Sequence, residues 1–158
     1  MIRSLERSEF NWLEAGLREF FAELSKSIPD VFAPDAARVF AGLYLGGGAR
    51  SSASLLTLGA LDEPGPVAFL LARVHDRPAR LPSRVLTLDA AYTLPDFRGR
   101  GHMSALLAQA EDFARGQGAE RLELGTPGVG PAAAFWRARG FADEFIQMGK
   151  AVAANSGT

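Results

Sequence analysis

One stretch limits the folds open to this chain: Val85 to Leu107, VLTLDAAYTLPDFRGRGHMSALL. An apolar run of strand length ends at Pro95. The loop Arg98-Gly99-Arg100-Gly101 follows, and a helical pattern starts near His102. Strand, glycine loop and helix in that order form an anion cradle. The first N–H groups of a helix have no partner inside it, and the helix dipole places partial positive charge there. Glycine brings the backbone close to a phosphate with no Cβ in the way, and neighbouring arginines add charge-assisted hydrogen bonds. The loop lacks the Gly-Lys-Ser/Thr of a Walker A and the spacing of a dinucleotide GxGxxG.

The rest of the chain reads as alternating strands and helices. Ile2–Leu5 suits a short strand. Ser8 suits an N-cap, and Phe10, Leu13, Leu17, Phe20, Phe21 and Leu24 recur at helical spacing. A loop is expected from Ser25 to Pro34. A second helix is expected over Asp35–Leu45 with Val39, Phe40 and Leu43 on one side, ended by Gly46-Gly47-Gly48 with a flexible segment to Ser52. Ala53–Leu61 and Val67–Val74 form a hairpin about Asp62-Glu63-Pro64-Gly65. His75–Ser83 reads as an exposed loop. Val85–Thr93 is the strand entering the cradle, and Met103, Leu106, Leu107, Ala110 and Phe113 give the next helix its stripe. Arg121–Leu124 is a short strand. Pro131 opens a last helix that Gly140 stops. One or two strands are expected over Phe141–Val152, and a frayed end over Asn155–Thr158.

The 158 residues suit one domain, 1–158, and 47% apolar with 22% charged residues suit an ordinary globular protein. Net charge near −1 gives no pull toward nucleic acid or membrane. With no cysteine, disulfides, thiolate zinc sites and cysteine nucleophiles are excluded; His75 and His102 are the only histidines, too few for a histidine-built metal site. The N-terminus has no signal-peptide pattern, so a cytoplasmic protein is the default expectation.

Thr93-Leu94-Pro95 followed by Arg98-Gly99-Arg100-Gly101-His102-Met103 resembles motif A of the GNAT (Gcn5-related N-acetyltransferase) superfamily. There a strand ending in V-x-P leads into (Q/R)-x-x-G-x-(G/A), the pyrophosphate loop for acetyl-CoA. Met103 departs from the small residue at the end. Pro131-Ala-Ala-Ala-Phe135-Trp136-Arg-Ala-Arg-Gly140-Phe141 resembles the family's motif B, without its asparagine. The element order also matches. The resemblance implies an α+β fold, an α/β/α sandwich. Its mixed, mostly antiparallel central sheet would be splayed between the central strands, with helices on both faces.

The resemblance further implies transfer of an acetyl group from acetyl-CoA, with no metal, to the primary amine of a small molecule or peptide by direct attack in a ternary complex. A non-catalytic acyl-CoA-binding module is the alternative. Tyr92, Thr93 and Leu94 would meet the acyl end, with a backbone N–H near Tyr92 or Thr93 as oxyanion donor. Arg98, Gly99, Arg100, Gly101, His102, Met103 and Ser104 would hold the phosphates. Trp136 stands where the family commonly has a tyrosine that protonates the departing thiolate. Indole cannot act as that acid, which leaves an unprotonated thiolate or another hydroxyl such as Tyr92. Asp89, the lone acidic residue in its apolar run, is the candidate base, acting directly or through water; a structural pair with an arginine such as Arg84 is the competing role. A partner subunit completing the sheet edge, as in a homodimer, is a further expectation. The acceptor itself is not legible.

Overall fold

Strands β1 (Ile2–Ser4), β2 (Leu55–Asp62), β3 (Gly65–Asp76), β4 (Arg84–Thr93) and β5 (Leu122–Leu124) form one sheet in the order β1-β2-β3-β4-β5. Helices α1 (Phe10–Ser25), α2 (Ala36–Leu45), α3 (His102–Gly116) and α4 (Pro131–Ala138) complete the elements. The computed structural model describes residues 1–28, 31–46 and 54–154. The expected flexible loop ending at Ser52 and the expected frayed tail lie outside these, apart from Gly46. The chain parts into two compact units, Met1–Pro127 and Gly128–Thr158. Among the described residues no helix is long and apolar enough to cross a membrane.

In the first unit all neighbouring strands are antiparallel except β4 and β5, which run parallel. β2 and β3 form the expected hairpin. Side chains alternate across a strand, and here both faces are covered. Phe69, Leu71, Ala90 and Tyr92 pack with Leu13, Leu17 and Phe21 of α1 and with Ala37, Ala41, Tyr44 and Leu45 of α2. On the other face, buried Leu70, Ala72, Leu86 and Leu88 lie under α3, which buries Leu106, Leu107, Ala110 and Ala114. This is the expected α/β/α arrangement.

Several expectations change in detail. Ser8 is not the N-cap of α1. The Glu9 carboxylate reaches back to the Glu6 N–H at 2.7 Å and is gripped by Arg3 at 2.6 and 2.9 Å, so a 3₁₀ turn over Arg7–Glu9 precedes the helix. On α2 it is small Ala37 and Ala41 that turn inward, allowing close approach, while Val39 and Leu43 are exposed. His75 belongs to β3, not to a loop. It pairs with Val85, and the Asp76–Arg84 ion pair at 2.8 Å closes that end of the ladder.

In the second unit α4 starts at Pro131, as expected. Trp136 packs edge-on against Phe135 and Phe141, at centroid distances of 4.9 and 5.5 Å. Arg137 grips Asp143 at 2.8 and 2.9 Å and donates to the Gly128 carbonyl. The strands expected over Phe141–Val152 are not formed. The backbone there is irregular, with Phe145, Ile146, Met148 and Val152 exposed. A strand depends on ladder partners, and none pairs with this segment among the described residues.

Candidate active site

The site begins with an irregularity in β4. Leu71 faces Ala90 and Ala72 faces Leu88, so Asp89 is an extra residue: a β-bulge. β5 pairs with β4 only over Leu86–Leu88. From Asp89 to Thr93 the edge of β4 turned away from β3 has no strand beside it among the described residues. The Leu94 N–H donates to Val67 of β3, and alternation along the strand turns the Tyr92 N–H the same way. The Ala91 and Thr93 N–H groups therefore face the open edge. Of the two residues named from sequence as the backbone donor, Thr93 is the one so oriented.

The loop follows at the end of this edge. Gly99 (φ +76°) and Gly101 (φ +83°) are left-handed, a conformation glycine adopts without strain, and a Cβ built on either meets nothing within 4 Å. Gly101 is the N-cap of α3. Ala105 makes the first helical bond, to the Gly101 carbonyl. Helix geometry leaves the preceding N–H groups, at His102, Met103 and Ser104, with no acceptor inside the helix. A diphosphate fits this cradle: the His102 and Met103 N–H groups at the helix start, the positive dipole, and Arg100 alongside.

The arginines are less free than the sequence suggested. Arg98 is turned back along β4. Its Nε donates to the Thr93 carbonyl at 2.9 Å, its Nη2 pairs with Glu23 of α1 at 2.9 Å, and its guanidinium lies 5.1 Å over the Tyr92 ring. Arg100 donates to the Asp96 carbonyl and lies over Phe97 at 5.0 Å. Both Arg100 and His102 stand 3.8 Å from Asp62 at the hairpin turn. Tyr92 is buried against Phe69, and its hydroxyl points at Glu23 at 3.4 Å. Burial, with Glu23 adding to it, pushes the Tyr92 phenol above its usual range.

Asp89 lies on the α1/α2 face. Its Oδ2 accepts from the Tyr44 hydroxyl of α2 and from Arg73 Nε of β3, the latter at 3.0 Å. The competing role, an ion pair with an arginine, is met, but by Arg73; Arg84 pairs with Asp76 instead. Sequence reasoning missed both actual partners. Arg73 carried a usable signal, being the lone charge in the apolar run Val67–Val74. Tyr44 carried none beyond being one of two tyrosines.

The polar strip continues across the sheet. His75 Nε2 meets Thr87 Oγ1 at 2.8 Å. Glu123 of β5 is gripped by Arg77 (2.7 Å) and Arg121 (3.0 Å). Burial alone would raise the Glu123 carboxyl, but the hydrogen bonds from Arg77 and Arg121 outweigh it and hold the group below the usual range. A carboxyl depressed in the fold contributes stability above its unfolded pKa and loses it as pH falls through the folded value. Urea midpoints measured from pH 7 to pH 3 should therefore decline toward acid. Glu123→Gln should flatten part of that decline while lowering the pH 7 midpoint. Among the described residues no cluster of three or more histidine, aspartate or glutamate side chains is placed to hold a metal.

An open strand edge leads into a glycine-capped helix start, and known proteins share this architecture. Residues 8–141 match the Acetyltransferase (GNAT) family, and the chain belongs to it. No curated protein matches. Solved structures share the fold at low identity. The tetramutant of the BH1408 protein from Bacillus halodurans superposes with a TM-score of 0.76 at 13% identity, over 96% of this chain and 99% of that one. The ribosomal-protein-alanine N-acetyltransferase of Brucella melitensis biovar Abortus gives 0.69 at 19%, over 96% and 98%. The aminoglycoside N-acetyltransferase AAC(6')-Iy in complex with CoA gives 0.65 at 18%, over 97% and 100%.

Proposed function

We propose that this protein is an N-acetyltransferase moving an acetyl group from acetyl-CoA to the primary amine of a small molecule or peptide, by direct attack with both substrates bound. The observation that carries this reading is the edge of β4, unpaired among the described residues, that runs from the Asp89 bulge into the Gly99–Gly101 cradle. Family membership supports it. So do relatives solved with CoA, with a bisubstrate analogue of CoA and acetylneamine, and with sisomicin.

In this scheme the N–H groups of His102 and Met103 hold the diphosphate, with Ser104 and Arg100 beside them, and Gly99 and Gly101 give it room. Arg98 is a strut: it fixes Thr93 and α1 rather than reaching for phosphate. The Thr93 N–H receives the oxygen charge that develops on the thioester carbonyl, a contribution typically worth ~10²–10³ in rate. Asp89 takes up the acceptor's ammonium, and its proton passes to that carboxylate or through it to water. The amine nitrogen bonds the carbonyl carbon as the carbon–sulfur bond breaks, and sulfur leaves as thiolate. Free thiols titrate near ~8.5, so departure without an acid is tolerable. That suits a chain whose Tyr92 hydroxyl is directed at Glu23 and whose motif B carries Trp136.

Asp89→Asn is expected to lower kcat on a true acceptor by about 10²-fold while CoA still raises the melting temperature as in the wild type. Unchanged turnover would remove Asp89 from the chemistry. Trp136 also favours a second reading, an acyl-CoA-binding module without transfer. Thiol release from acetyl-CoA across an amine panel separates the two, since the module would release its ligand intact.

A further inference from the structure

The proposal concerns the charge on the acceptor, and it rests on the transferase reading above. Asp89, Arg73, His75, Thr87, Arg77 and Glu123 make a half-buried polar strip on the α1/α2 face of the sheet, with buried Tyr44 of α2 against Asp89. A polycationic acceptor needs carboxylates in excess. Here both carboxylates are already claimed by arginines: Asp89 by Arg73, Glu123 by Arg77 and Arg121. Burial, with Arg73 and Arg77 nearby, lowers the His75 pKa, so this imidazole adds no charge near neutral pH. Arg73 and Arg77 balance the two carboxylates of the strip, which therefore offers no carboxylate in excess. Two further glutamates, Glu19 and Glu23, lie at the far end beside Tyr92, where Glu23 is held by Arg98.

Arg73 spends only its Nε on Asp89, and its side chain is 32% exposed. Its two terminal amino groups form the edge that grips a planar carboxylate through two parallel bonds. Cation and anion thus sit side by side, at 3.0 Å, where the ammonium is to be received. That arrangement is the complement of a zwitterion. We propose that the acceptor is an amine carrying a carboxylate one or two carbons from the nitrogen, an amino-acid-like molecule. Its carboxylate seats on the Arg73 Nη edge and its ammonium on Asp89.

The test compares alanine and β-alanine with their methyl esters, and with putrescine and spermidine. Thiol release from acetyl-CoA is the first readout, and the melting temperature of the CoA-saturated protein with each amine is the second. Expected is at least a tenfold preference in kcat/KM for the free acid over its ester, with the polyamines poorer still. Arg73→Gln, with Arg73→Lys as the milder change, should raise KM for the acids and shrink the acid-to-ester ratio toward one. Equal or better use of esters or polyamines overturns the proposal. If no amine releases thiol while CoA still stabilises the fold, the transferase reading fails by itself. The proposal then stands or falls on the melting data: stabilisation by the acids over the esters, lost in Arg73→Gln, supports it, and its absence refutes it.

Discussion

Gly101→Val should abolish the thermal protection that CoA gives this protein. Ligand at 100 times its Kd stabilises a fold by about 2.7 kcal/mol. For a chain of this length that is a rise of about 5–10 °C in Tm; in the variant it should fall below about 1 °C. The reason is conformational rather than steric. The space around a Cβ at Gly101 is empty, but its φ of +83° is one that a β-branched residue resists. Valine would either strain the N-cap or swing φ negative, and the second turns the His102 and Met103 N–H groups off a common target. Gly116→Ala is the control, since Gly116 has open space and no positive φ. Full protection in the Gly101 variant would mean that the diphosphate is held elsewhere.

Phe69→Ala should cost about 3–5 kcal/mol of folding stability, read as a large drop in the urea midpoint. Phe69 is fully buried on β3. Its ring is so close to α1 that a Cβ on Gly16 would come within 2.8 Å of Cε1. Trp12 meets it edge-on at 6.0 Å and Tyr92 lies 6.2 Å away. Removing the ring therefore opens a cavity between the sheet and the helix that carries Glu23, the anchor of Arg98. CoA affinity should weaken along with stability. A loss under about 1.5 kcal/mol would show that α1 can collapse into the space.

The parts that were readable in the sequence are local ones. The cradle was legible because glycine, proline and helix start follow one another in a few residues. Asp89 was legible as a charge in an apolar run. The same signal sat at Arg73, the lone charge between Val67 and Val74, and went unread. No glycine or proline marks the bulge; only the resemblance to the family, which exposes its backbone donor at a β-bulge, pointed to one. Tyr44 and Asp89 are 45 residues apart and meet only through helix–sheet packing, to which spacing is blind. The inward face of α2 was misjudged because close packing against α1 favoured Ala37 and Ala41 over the larger Val39 and Leu43. At Phe141–Val152 strand-like composition was not enough, because a strand is defined by its neighbour.

The extra residue in β4 carries a last consequence. With an unbroken ladder, strict alternation would send Asp89 and Ala90 to opposite sides of the sheet; the insertion lets both look toward α1 and α2. A chain shortened by that single residue would run Leu88 straight into Ala90 in a regular ladder, with the pairings on either side unchanged. It would also lose the acid to which Tyr44 and Arg73 now donate, so the straighter strand would have no carboxylate there to receive an amine.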